Sequence, residues 1–267
     1  MMADVSEPSD GTPQIQSVGR ATALLRCFVE TDEPLTLTEL ARATDMNPST
    51  ALRLLRTLCQ GGVLRRDLGS EKYMRGPVLL ALAQRAYQST GMADALGMLE
   101  SLVAATGESA SLGIREGRFA VVLLRAESEA PLHFDRPAGT RVPLHLSAMG
   151  KALLAFGPLT IPEAVGELGP LESRTGASIT KPAQLETVLR KVRDQGYALA
   201  DEEQYAGVRS VGAPILDRDG VARAAIAIQG PTARISDAEL TRYVDAVKAT
   251  AAEIALLPTL HHLGPGR

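Results

Sequence analysis

The sequence predicts an α+β fold in two parts, three short helices closed by a hairpin and then an antiparallel sheet covered by helices. Two observations carry this. Apolar residues recur at helical spacing in three successive segments and then stop at Gly61-Gly62. Farther on, two pairs of strand-like runs, each pair joined by turn residues, bracket further helical segments, the pattern of a sheet with helices laid over it.

Length and composition set the frame. A chain of 267 residues, 45% of them hydrophobic, can bury the cores of one large or two ordinary domains. No run reaches the roughly 18 uncharged apolar residues that a membrane span needs. The opening MMADVSEPSDGTPQ carries acids and prolines where a signal peptide has a basic start and an apolar core. The expected location is the cytoplasm, with no membrane partner. Cys27 and Cys59 then read as small core residues without a disulfide. Residues 1–14 and 259–267 are expected to be a disordered and a flexible tail.

Val18, Ala21, Leu24, Leu25 and Phe28 predict a helix over residues 17–30, and Thr36 can cap a second over Leu37, Leu40 and Ala41. The third begins at Asn47, a favoured N-cap, with Pro48 at the first helical position, where its missing N–H costs nothing. Turning about 100° per residue, Ala51, Leu52, Leu54, Leu55 and Leu58 fill one arc. Ser49, Arg53, Arg56, Thr57 and Gln60 fill the other. VLRR (63–66) and KYMR (72–75) flank DLGSE as a hairpin whose arms bring Arg65, Arg66, Lys72 and Arg75 near the third helix. Three helices with a basic hairpin make a winged helix-turn-helix, placed at residues 15–76.

Charge is distributed unevenly. Residues 15–90 hold ten Lys/Arg against seven Asp/Glu, and 46–66 hold four arginines and no acid, although the whole chain is at −3. A solvated helical face would give the same cluster. The hydroxyls and arginines sharing one face with a basic wing beside it favour double-stranded DNA as the partner. Ser49, Thr50, Arg53, Arg56 and Thr57 would enter the groove, and Arg65, Arg66 and Lys72 would hold phosphates.

GPVLLALAQRAYQST (76–90) is too broadly apolar for a solvated connector and predicts a linker helix, placed at 77–91, that packs on a copy of itself or on the next domain. A homodimer, or a dimer of dimers, suits a protein that reads half-sites. The second domain is placed at 92–258. A helix with Ala93, Leu96, Leu99, Leu102 and Val103 leads into ESASLGI and FAVVLLRAE, joined at residues 115–118. Helices are expected near 147–155, 162–168 and 182–195. VRSVGAPILD and VARAAIAIQ then flank Asp217-Arg218-Asp219-Gly220, and Ser236 to Glu239 reads as a capping box opening a last helix to about Leu257.

Catalytic signals are weak. HLSAMGKA (145–152) lacks both the first glycine of a phosphate loop and the hydroxyl after its lysine. His145 and Ser147, two apart, do not face each other on a helix. Asp201-Glu202-Glu203, with no spaced His or Cys, reads as a solvated acidic turn rather than a metal site. No catalytic residue, metal or cofactor is expected.

IQSVGRATALLRCF, LTELARATDMNPSTALRLLRTL, YMRGPVLLALA, HLSAMGKALLA, GYALADEEQYAGVRSVGAPILD and AAIAIQGPTARIS follow one another in the order seen in a known family. From about Ile15 to Leu257 the chain resembles the IclR-type bacterial transcription regulators, named for the isocitrate lyase regulator. The resemblance implies a GAF-like second domain that binds a small organic effector and thereby alters repression or activation. It also implies dimers or tetramers on pseudo-palindromic promoter operators. Carried over position by position, the effector pocket would have backbone N–H groups of Ala148, Met149 and Gly150 at one end. Ala200, Val208, Ser210, Ala227 and Gln229 would form its walls, with Phe134 and Val142 closing the apolar end. Members that bind small keto acids place an acid at position 200 and serines at 227 and 229. Ala200, Ala227 and Gln229 therefore imply a bulkier, partly apolar acid such as an aromatic catabolite, unless the two alanines simply pack. Two other functions share these features, an architectural DNA-binding protein whose second domain only dimerises, and an enzyme with a DNA-targeting module.

Overall fold

A computed structural model describes residues 15–257, apart from 30, 90 and 135. The tails expected at 1–14 and 259–267 lie outside the described residues. The chain divides between Ala86 and Tyr87 into two compact units, a division that falls within the expected linker helix.

The first unit contains α1 (Gln16–Cys27), α2 (Leu37–Ala43), α3 (Pro48–Gln60), β1 (Leu64–Arg66), β2 (Tyr73–Arg75) and the start of α4 (Pro77–Ser89). Thr36 and Glu39 cap α2 reciprocally, and the Asn47 side chain caps α3 by accepting the Ser49 N–H at 3.0 Å. Leu24, Phe28, Leu40, Leu55, Leu64 and Tyr73 form the core between helices and hairpin. Leu35, ahead of α2, exchanges two backbone hydrogen bonds with Tyr73 (2.9 and 2.7 Å), so the hairpin gains a third-strand bridge that the sequence did not announce. A side chain at Gly76 would collide with the Gly62 carbonyl, which lets α4 start directly behind the end of α3.

Two expectations are corrected here. The first helix ends at Cys27 rather than 30, and Val18 is exposed. Arg75 explains the early stop. Its guanidinium donates to the carbonyls of Phe28 (3.1 Å) and Thr31 (2.8 Å) and pairs with Asp32 (3.1 Å), holding the chain that leaves α1. Arg75 thus ties the wing to α1 instead of standing beside α3.

The second unit contains α5 (Met92–Thr106), β3 (Ser109–Glu116), β4 (Phe119–Ala126), β5 (Arg141–Pro143), α6 (Ala148–Ala155), α7 (Ile161–Gly166), α8 (Pro182–Gln195), β6 (Ala198–Asp201), β7 (Val208–Leu216), β8 (Ala222–Pro231) and α9 (Leu240–Ala255). Its sheet runs β5-β4-β3-β8-β7-β6, antiparallel throughout. Leu99, Leu102, Val247 and Ile254 of α5 and α9 cover one face with Leu112, Val211, Ile226 and Ile228. The other face carries α6, with α7 and α8 packed outside it, around Leu144, Met149, Leu154, Leu185 and Leu189. Both expected hairpins form, whereas the short edge strands β5 and β6 were not foreseen.

The capping box expected from Ser236 to Glu239 does not open the last helix, which begins at Leu240. Its acids are engaged elsewhere. Asp237 pairs with Arg209 at 2.7 Å and Glu239 with Arg242 at 2.9 Å. No helix among the described residues is long and apolar enough to cross a membrane.

Candidate functional site

Two regions bring polar side chains together without satisfying them internally. The first is the outer face of α3. Ala51 and Leu55 are buried, while Ser49, Arg53, Arg56, Thr57 and Gln60 are exposed and Thr50 is half-buried, the division expected from the helical angle. Ser49 donates its hydroxyl to the Asn47 side chain at 2.8 Å, and Thr57 donates to the Arg53 carbonyl at 3.1 Å. Both hydroxyls are steered by these bonds and keep acceptor capacity outward. The guanidinium groups of Arg53 and Arg56 make no hydrogen bond or ion pair among the described residues.

The hairpin residues divide. Arg65 is exposed and Lys72 half-buried, and neither is paired among the described residues. Arg66 is engaged. It pairs with Glu71 at 3.0 Å and its guanidinium lies 5.8 Å from the Tyr73 ring centre. Exposed pairs of this kind contribute little, so Arg66 can exchange Glu71 for a phosphate at small cost.

The second region is a cavity of about 310 Å³ in the second unit, lined by Phe134, Arg136, Thr140, Arg141, Arg174, Gln204, Tyr205 and Gln229. That volume lies at the low end of ordinary metabolite pockets. A small adjoining pocket shares Phe134, Arg136 and Gln229 and reaches Ser109, Ser111, Arg125 and Glu127, the carboxylate of which pairs with Arg125 at 3.4 Å. The lining of the main cavity holds three arginines and no acid among the described residues.

The three arginines differ in how they are neutralised. Arg141 pairs with Glu116 and stacks 4.7 Å from the Phe119 ring centre. Arg174 pairs with Glu172 at 3.1 Å, both well exposed at the mouth. Arg136 has only a neutral partner among the described residues, the Gln204 side-chain oxygen at 2.5 Å. It lines the cavity as a half-buried side chain yet is densely surrounded by protein. Burial, with Arg174 adding repulsion, pulls its guanidinium down to about 10, against the opposing influence of Tyr205. Arg136 therefore remains charged at neutral pH while lacking a counter-charge.

The pocket expected from the resemblance is only partly assembled. Phe134 and Gln229 line the cavity. Ala200, Ser210 and Gln229 stand in one row across β6, β7 and β8, continued by Ser109 on β3, and Ala227 pairs with Gly212 and Ser111 in the next row of the same face. That face is occupied, however. Ala148, Met149, Ala200 and Ala227 belong to the packed cluster beneath α6, and Val142, Val208 and Ser210 are buried outside the cavity lining. A Cβ at Gly212 would meet the Met149 nitrogen at 3.0 Å, so strand and helix start are already in contact. The Gly150 N–H is also taken, by the Ser147 hydroxyl at 3.0 Å. Missed altogether were Arg136, Thr140, Arg141, Arg174, Gln204 and Tyr205, most of them in irregular segments where no periodicity marks a role.

The acidic turn is a further correction. Glu203 is buried and ion-paired with Lys151, itself 1% exposed, while the Lys151 ammonium also donates to the Leu199 carbonyl at 3.0 Å. Burial pulls the lysine down and pushes the carboxyl up, and their mutual attraction opposes both. Asp201 takes Arg209 at 2.7 Å. Thr175 and Ser178 donate to the Glu203 backbone carbonyl at 3.3 and 2.7 Å, which fixes the turn that carries Gln204 into the cavity. His145 and Ser147 form no dyad. The imidazole contacts the Glu172 carbonyl at 3.0 Å while Ser147 caps α6.

Comparison with known proteins agrees with this fold. Residues 17–68 match the family described as the IclR helix-turn-helix domain, and residues 86–256 match that of the bacterial transcriptional regulator IclR C-terminal domain. The HTH-type transcriptional regulator BhcR of Paracoccus denitrificans is 38% identical over 243 residues, covering 90% of this chain and 86% of that protein. The crystal structure of an IclR transcriptional regulator from Alicyclobacillus acidocaldarius superposes with a TM-score of 0.80 at 28% identity, covering 91% and 98% of the two chains. An IclR homologue from Microbacterium hydrocarbonoxydans, complexed with 4-hydroxybenzoate, shares the fold with a TM-score of 0.76 at 23% identity, covering 92% and 99%.

Proposed function

Because this chain belongs to the IclR family of bacterial transcriptional regulators, and is a DNA-binding regulator rather than an enzyme, we propose that a small organic acid entering the second unit controls its action at a promoter operator. The observation that supports this is Arg136, a charged guanidinium in a cavity with a neutral partner and no carboxylate among the described residues. A buried charge without a counter-charge is costly. A carboxylate arriving beside it forms charge-assisted, often bidentate hydrogen bonds and relieves that cost. The ligand of one relative of the same fold, 4-hydroxybenzoate, is itself a carboxylate. A purely architectural second domain, the other function considered, would have no need of an open cavity of about 310 Å³. DNA is read in this proposal by Ser49, Thr50, Arg53, Arg56 and Thr57, with Arg65, Arg66 and Lys72 on phosphates.

The test is a thermal-shift and calorimetric screen against carboxylic acids, on wild type and Arg136→Met. A ligand that binds the folded state raises the melting temperature. Wild type should respond to at least one acid and the variant to none. Without ligand the variant should melt at or above the wild-type temperature, since an unneutralised charge has been replaced by an apolar chain. A variant that binds the same acid as wild type does would sink the proposed anchor.

A further inference from the structure

We propose that the effector is a diacid, its inner carboxylate held by Arg136 and its outer acidic group by Arg174 at the cavity mouth; this rests on the acid-binding cavity proposed above. Three features lead there. Arg136 and Arg174 line one cavity and are close enough for each to feel the other's charge. A single carboxylate at Arg136 would neutralise the inner guanidinium only. The outer one is committed weakly, because its ion pair with Glu172 is 37% and 45% exposed, and exposed pairs are worth little. A ligand's second acid group can therefore take the place of Glu172 on this guanidinium at small cost, held near it by the carboxylate already on Arg136.

The remaining lining fits a short chain between two acidic ends. Phe134 offers an apolar wall, while Thr140, Gln204, Gln229 and Tyr205 offer hydrogen bonds along the path. Arg141 is already committed to Glu116 and to the Phe119 ring, and is not needed as a third anchor. No described carboxylate lines the cavity to repel a doubly charged guest.

The experiment compares matched pairs on the full chain by calorimetry: succinate with butyrate, glutarate with valerate, and terephthalate with benzoate. In wild type at least one diacid should bind about tenfold or more tighter than its monoacid partner, the gain from one added charge-assisted contact. Arg174→Gln should collapse that ratio toward one, and Arg174→Lys, which keeps the charge but not the fork, should retain part of it. If diacid and monoacid bind alike in every pair, or if Arg174→Gln keeps the wild-type ratio, the diacid proposal is overturned while an acid-binding cavity at Arg136 stands. Binding of none of the six, or undiminished binding in Arg136→Met, overturns both.

Discussion

Arg53 and Lys72 carry the same charge and neither is paired among the described residues, but they stand on different surfaces and should fail differently. Arg53 projects from the exposed face of α3, the face proposed to enter the groove. Arg53→Ala should cost about 1 to 3 kcal/mol of operator affinity and relax sequence preference. Lys72 lies on the hairpin, proposed to meet phosphates, and Lys72→Ala should weaken all sequences alike and flatten the salt dependence. Fluorescence anisotropy over a salt series, on operator and scrambled DNA, separates the two; equal affinities and slopes in both variants would remove these residues from the interface. Arg75 shows the limit of reading charge from sequence. It belongs to the same basic hairpin, yet its donors are spent on Phe28, Thr31 and Asp32, a contact across more than forty residues that no local pattern encodes. Arg136 was illegible for a related reason. It stands before β5 in a segment without periodicity, and its meaning comes from having no counter-charge among the described residues, which only three dimensions reveal.

At the scale of elements, legibility followed the strength of the local signal. α3 was marked at both ends, by Asn47-Pro48 and Gly61, and its observed span needs no revision. The β7–β8 hairpin was marked by Asp217-Arg218-Asp219-Gly220, and the turn closes as its residues demand. Asp217 accepts the Asp219 and Val221 N–H groups at 2.9 Å each and the Arg223 guanidinium at 2.7 Å. Burial raises the Asp217 carboxyl, but these donors outweigh it and hold the group below its ordinary value. A depressed carboxyl stabilises the fold above its unfolded pKa, about 3.9 for aspartate, and that contribution is lost as pH falls through the folded value. Wild type should therefore melt above Asp217→Asn at neutral pH, with the gap closing below roughly pH 4. A gap that is constant down to pH 2 would show that the turn does not depend on the charge. β5 and β6, of three and four residues, are too short to show alternation, and both rely on a longer neighbour for register.

For the molecule as a whole, each chain supplies one groove-reading helix, whereas a specific operator is read most economically by two related by symmetry. Leu80 and Leu82 of α4 and Ile15 and Val18 at α1 are exposed apolar side chains in the described structure. With apolar side chains exposed on more than one side of α4, burial against another chain would remove them from water. The protein is expected to be a dimer or a dimer of dimers in solution, and light scattering at micromolar concentration with and without operator DNA checks it. A persistent monomer in both conditions would contradict the proposal. The two-part organisation was legible because each part has its own periodicity and its own turn chemistry, although the division falls inside α4 rather than at its ends.

The cavity takes most of its polar groups from connecting segments, the exceptions being Arg141 at the start of the edge strand β5 and Gln229 on the central strand β8. The alanine and glycine rows that let α6 settle on the sheet lie elsewhere, at Ala200, Gly212 and Ala227. If the proposed acid site lies in this cavity, substitutions at Thr140, Arg174, Gln204 or Tyr205 are expected to change the acid it prefers without disturbing the packing under α6. Such a scaffold is evolvable in a specific sense. Sensing can drift from one metabolite to another in single steps, each through a folded and DNA-competent intermediate, while the small residues under α6 stay fixed.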